Sequence, residues 1–325
     1  MKHPPPTTNT LTRSLTLAWS ENGPQMGFVF GPGFFQSSPV QVALIVGTVV
    51  SVVSGVVGVF TVVRGQSFTG HALADLGATG GSGAFLLGVN QLLGFVAIAA
   101  VAAGAIELVG LRRPRGRDLA TGVVLGAGLG LAALFLYLDT TFSNTTGASI
   151  TILFGSLFAI DSSLVPVIVA LSVISLGTVL VLYRMLLFSS LSSDMAAARA
   201  VPVRAVGVGY LVALALAVSL SAMTIGAVLS TALLIGPAAC ALRLTRRPGP
   251  ALALAALIGV VVTWLSILLA YDSYYWPPGG RGWPVSFFVV ALVFTFYLLT
   301  QVPVRGWFPR RDPGRSSANR RLEGR

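Results

Sequence analysis

Residues 40 to 63 read VQVALIVGTVVSVVSGVVGVFTVV, 24 consecutive positions without an ionisable side chain. At about 1.5 Å per residue a helix of this length reaches about 36 Å, enough to cross a hydrocarbon core about 30 Å thick. Similar runs recur near 68–86, 87–110, 119–138, 163–185, 205–222, 224–242, 251–270 and 284–304. The pattern predicts an all-α, polytopic membrane helical bundle of about eight to nine transmembrane helices. Segment 68–86 is the weakest of them. Its glycines, Gly77, Gly80, Gly81 and Gly83, predict a short or broken helix.

Composition carries the same message. Of the 325 residues 54% are hydrophobic and 10% charged, with a mean hydropathy of +0.85, whereas soluble domains carry about 25% charged residues. The chain divides into an N-terminal extracytoplasmic arm (1–39), a transmembrane domain (40–304) and a basic tail (305–325). Pro24, Pro32 and Pro39 interrupt any long helix in the arm, which does not read as a cleavable signal peptide. Its role is left unassigned.

The formal charge is +11, yet the basic residues sit in short clusters between apolar runs. That placement suits lipid headgroups and argues against a nucleic-acid groove. Arg64, the cluster Arg112, Arg113, Arg115 and Arg117, then Arg184, Arg199, Arg204, Arg243, Arg246 and Arg247, and the seven arginines of the tail share one side of a nine-helix arrangement. They are 18 of the 21 Lys and Arg residues. By the positive-inside rule that side is the cytoplasm of a cell membrane, and the C-terminus lies there.

Residues 139–162 form a polar connection without a basic residue. In the longer connection 186–204, Ser192, Ser193 and Asp194 offer N-cap chemistry before an Ala-rich turn, and Pro202 disfavours helix at Val201. A short cytoplasmic helix over about 194–200 is predicted.

Several chemistries are excluded. A P-loop needs a lysine, and the only one is Lys2. The chain therefore carries no ATPase site of the usual kind. His3 and His71 are the only histidines and Cys240 the only cysteine, too few for a His-rich cage, a paired-thiolate zinc site or an intrachain disulfide. No cofactor is expected on this chain. The ionisable residues within or beside apolar segments are His71, Asp75, Glu107, Asp139 and Asp161. Asp139 and Asp161 lie at helix ends, where carboxylates reach water, and Glu107 is near enough to the Arg112 cluster to pair with it.

His71 and Asp75 differ from these, because a spacing of four residues puts both on one helix face. An imidazole beside a carboxylate is a partial site for a borderline divalent metal, with water or a neighbouring chain completing the shell. The alternative is a packing pair in which Asp75 accepts a hydrogen bond from His71.

From about residue 34 to residue 304 the sequence resembles the zinc and manganese permease family of ABC importers. Phe34-Phe35-Gln36, the apolar run to Gly58-Val59-Phe60, and then Arg64, Ser67 and Phe68 are similar to that family's first helix and first cytoplasmic turn. Gly70-His71-Ala72-Leu73-Ala74-Asp75 stands where the family has an acidic residue and, four later, a histidine; here the two types are exchanged. Leu153-Phe154-Gly155-Ser156-Leu157 resembles a second family motif. Gly226-Ala227-Val228-Leu229 and Ala232 through Pro237 to Ala241 resemble a third.

The resemblance implies the ABC importer permease fold and alternating-access transport of zinc or manganese. It implies a homodimer of permeases, a separate ABC ATPase subunit that uses the ATP, and an extracytoplasmic metal-binding protein that delivers the ion. It also implies that Asp194, Ala198 and Arg199, which match the family's positions, couple the chain to the ATPase; Pro202 stands where a glycine is usual. Two other readings stay open: an ABC permease for a metal chelate or another small solute, and a secondary transporter independent of any ATPase.

Overall fold

Each of the nine apolar segments coincides with an α-helix in the computed structural model, which describes residues 34–112, 117–142, 147–155, 157–191, 199, 202–276 and 282–301. In chain order the helices are α1 (Ser38–Val63), α2 (Ser67–Leu86), α3 (Gln91–Arg112), α4 (Arg117–Phe142), α5 (Gly147–Phe154), α6 (Val165–Leu191), α7 (Val203–Ile225), α8 (Ala227–Leu244), α9 (Pro248–Asp272) and α10 (Val285–Gln301). Short 3₁₀ turns at Phe34–Gln36, Leu157–Ala159, Ser162–Leu164 and Ser273–Tyr275 join them, and there is no strand among the described residues. The short helix α5 lies in the polar connection 139–162, where the sequence pattern had predicted no element.

Six of these helices are long and apolar enough to cross a membrane: α1, α4 from Thr121, α6 with its preceding turn, α7, α8 and α9. Gln91–Ile106 of α3 and Val285–Gln301 of α10 are apolar but shorter. The chain is a multi-pass membrane protein. Burial then separates centre from rim: the spans of α1 and α7 are 67% and 72% buried within the protein, those of α4 and α6 only 17% and 22%. The inner helices are covered by protein, and the outer pair leave most of their apolar residues uncovered by this chain.

α1 packs against α6, α7, α8 and α9. Ser51 Oγ and Thr263 Oγ1 lie 2.6 Å apart between α1 and α9, and Trp264 Nε1 donates to Thr48 Oγ1 at 2.7 Å. Interhelical hydrogen bonds of this kind contribute about 0.6 kcal/mol each in lipid, so close packing of small residues carries most of the association.

The glycine-rich segment is neither short nor broken. α2 runs uninterrupted for 20 residues. Its glycines serve packing rather than interruption: a Cβ at Gly80 would collide with the carbonyl oxygen of Gly94 on α3, and one at Gly94 with that of Gly80. The two backbones touch, which only glycine permits at both positions. Residues 69, 70 and 72–82 are all buried, so α2 is sheathed by neighbouring helices and need not be apolar.

Candidate functional site

His71 and Asp75 lie on the second and third turns of α2, just past the turn at Gly65 that reverses the chain after α1. The structure brings the pair together: His71 Nε2 is 3.4 Å from Asp75 Oδ2. The imidazole side chain is 43% exposed and the carboxylate 10%, so the pair has one open face, on the histidine. The other ring nitrogen, Nδ1, is 3.0 Å from Thr231 Oγ1 on α8.

Thr231 went unnoticed in the sequence because it falls between the two halves of the Gly226–Ala241 motif, where it reads as one more helix residue. Its hydroxyl bears on the chemistry. With the ring proton on Nδ1, that N–H donates to Thr231 and leaves the Nε2 lone pair beside the Asp75 carboxylate, a two-donor set for a cation. With the proton on Nε2, the hydroxyl donates to Nδ1 and Nε2–H faces the carboxylate. The arrangement of the three residues is chemically compatible with either a cation or a proton between ring and carboxylate. Among the described residues no group of three or more His, Cys, Asp or Glu side chains could hold a metal. One chain offers at most the two side chains His71 and Asp75.

The other ionisable candidates do not join them. Asp161 is exposed and caps the turn Ser162–Leu164, where its Oδ1 accepts from the Ser163 backbone N–H at 3.0 Å. That N–H holds the carboxyl below the usual carboxylate range. Asp139 does not reach water as its position near a helix end suggests: it is 1% exposed, and among the described residues neither carboxylate oxygen has a hydrogen-bond partner. It lies within the last turn of α4, which continues to Phe142. The side chain of Glu107 lies outside the described residues, as do Asp194, Ala198 and most of the predicted 194–200 helix. Arg199 is described, exposed in a turn, its guanidinium 5.4 Å from the Phe188 ring centroid.

The second and third sequence motifs meet in space. Gly155 follows α5 with φ +78°, and Gly226 separates α7 from α8 with φ +99° and ψ 151°. A Cβ on Gly155 would stand 2.5 Å from the Thr224 carbonyl oxygen and 2.6 Å from the Gly226 nitrogen. Phe154, Gly155 and Thr224 also line a cavity of about 480 Å³ whose wall includes Tyr271 and Trp283.

The model of the "ABC 3 transport family" matches residues 36–300, most of the chain and all three motifs. This chain belongs to the ABC 3 transport family. Among ABC 3 relatives, the manganese transport system membrane protein MntC of Listeria innocua is 31% identical over 243 residues, covering 75% of this chain and 85% of that protein. The high-affinity zinc uptake system membrane protein ZnuB of Haemophilus influenzae is 26% identical over 235 residues, covering 72% and 87%. Among solved structures, PsaBC from Streptococcus pneumoniae in complex with Fab superposes with a TM-score of 0.71 at 25% identity, covering 82% of this chain and 92% of that one. Family membership accounts for the helical bundle.

Proposed function

We propose that this chain is the membrane-spanning permease subunit of an ATP-driven importer for a divalent metal ion, manganese or zinc. The observation that carries the reading is the His71–Asp75 pair, oriented through Thr231 and open on the histidine side, in a chain of the ABC 3 transport family. Borderline divalent cations accept imidazole and carboxylate together. Two donors from one chain bind weakly enough to release, as transport requires. A second copy of the chain, or water, completes the shell, and this favours a homodimer with the pairs near a shared axis.

The ATP is used by a separate ATPase subunit, which meets the cytoplasmic connection carrying Asp194, Ala198 and Arg199, and an extracytoplasmic binding protein delivers the ion. Nine crossings place the basic clusters and the C-terminus in the cytoplasm. The relatives support the metal cargo, being named for manganese and zinc transport.

The test is elemental analysis of zinc, manganese, iron and cobalt in cells lacking the chain, each metal limiting in turn, with wild type or His71→Ala restored. Selective loss of one metal, restored by wild type alone, is the expected result. Unchanged metal content under every limitation would overturn the metal reading and leave a permease for a chelate or another small solute.

A further inference from the structure

The last turn of α1 holds both helices that flank the cytoplasmic connection 192–201. Arg64, the residue that ends α1, donates from Nη1 to Ser189 Oγ on the last turns of α6 at 3.0 Å. Its guanidinium carbon also stands 5.2 Å from the ring centroid of Tyr210 on α7. One turn back, Thr61 Oγ1 lies 2.7 Å from the Tyr210 hydroxyl, and the Phe60 ring packs edge-on against Tyr183 of α6 at 6.0 Å. Tyr210 is fully buried, so its ring cannot shift without moving what it touches.

On the other side of Arg64 the chain turns through Gly65 directly into α2, and His71 follows seven residues later. Gly70, next to His71, packs on the same neighbourhood: a Cβ there would lie 3.0 Å from Leu234 and 3.5 Å from Thr61. Arg64 is therefore covalently continuous with the helix that carries the candidate site and non-covalently bound to both roots of the connection.

We propose that Arg64 is the positioning residue that transmits movement of the end of α6 and the start of α7 to α2, so that ATPase closure alters access to His71 and Asp75. This rests on the permease reading. Arginine suits the task, since its planar fork donates to Ser189 while its face stacks on the Tyr210 ring. Lysine could satisfy the hydroxyl but would forfeit the planar stacking. Removing the link would leave the ATPase free to cycle without moving the transport helix.

The experiment uses the full importer, this chain with its cognate ATPase, in proteoliposomes. Two readouts are taken for wild type, Arg64→Ala, Arg64→Lys and Ser189→Ala. The first is manganese taken up per ATP hydrolysed. The second is the ATP-dependent change in maleimide labelling of Phe68→Cys, an exposed residue on the first turn of α2; it does not depend on the cargo.

Arg64→Ala is expected to hydrolyse ATP at near the wild-type rate while uptake per ATP falls at least tenfold and the labelling change disappears. Arg64→Lys and Ser189→Ala should fall between the two. Should Arg64→Ala not assemble, those milder variants carry the test through the same ratio. The proposal is overturned if uptake per ATP is unchanged in the variants that assemble, if the labelling change survives in them, or if wild-type labelling does not respond to ATP. Labelling that responds to ATP in wild type and depends on Arg64, with no metal uptake in wild type, would sink the metal reading alone.

Discussion

A threonine hydroxyl 3.0 Å from His71 Nδ1 serves either tautomer of the imidazole and fixes the ring's orientation, holding Nε2 toward Asp75. Partners of this kind typically alter metal affinity by about 10 to 100-fold when removed. Thr231→Val keeps the shape of the side chain and deletes the hydroxyl. It is expected to raise the half-saturating metal concentration for uptake within that range while leaving expression intact; an unchanged uptake curve would show that Thr231 only packs. The order of the pair makes a second prediction. Asp75→Ala and His71→Ala should each weaken uptake by about tenfold or more, equivalent to about 1.4 kcal/mol. The double exchange His71→Asp, Asp75→His preserves an imidazole and a carboxylate one turn apart and should recover most of that loss. Failure of the exchange would mean that the buried position, 10% exposed at Asp75, accepts only the smaller carboxylate.

At the scale of the element, Gly155 and Gly226 cannot be exchanged for other residues at low cost. Gly226 occupies a backbone region almost closed to side chains, at φ +99° and ψ 151°, where occupancy by another residue costs about 1 to 3 kcal/mol. Gly226→Ala would also drive a Cβ to 2.5 Å from the Phe154 main chain. The expected outcome is a lower melting temperature of the detergent-purified protein and lower membrane abundance, and Gly155→Ala should behave alike; Gly104→Ala, where the added Cβ meets nothing, is the control. Both motif glycines were visible in the sequence as parts of two separate motifs, but their contact was not, because spacing along a chain carries no information about which turns meet. The nine apolar segments were legible because lipid demands runs of about 20 residues. The continuity of α2 was not, since glycine weakens an isolated helix but strengthens a helix pair that closes to backbone contact, as Gly80 and Gly94 do. Asp139 was misread for a related reason. Whether a carboxylate near a helix end reaches water depends on what packs over it, which position along the chain does not show; Asp139 is 1% exposed.

For the whole molecule, the number of crossings turns on α2, α3 and α10, and most of all on α2, which is 20 residues long yet not apolar enough to be a candidate span. It carries His71, Asp75 and five glycines, yet its buried residues run almost without a gap and it packs against α3, α4, α7 and α8. A helix so enclosed meets little lipid, and its polar residues face protein, where ionisable groups are tolerated in membranes. If α2 failed to cross, every later segment would invert, and Arg112–Arg117, Arg243–Arg247 and the basic tail would lie outside, against the positive-inside rule. The chain is therefore expected to place the α2–α3 turn outside and the α8–α9 turn in the cytoplasm. Cys240 is buried, so the native thiol leaves little background for labelling. Val89→Cys, 51% exposed in the first of these turns, should react with a membrane-impermeant maleimide in intact cells, whereas Arg246→Cys should react only after permeabilisation. Val89→Cys reacting only after permeabilisation, with Arg246→Cys reacting in intact cells, would mean that α2 enters and leaves by the same face. The His71–Asp75 pair would then sit in a re-entrant element instead of a spanning helix, and access to it from outside would have to pass entirely between the other helices.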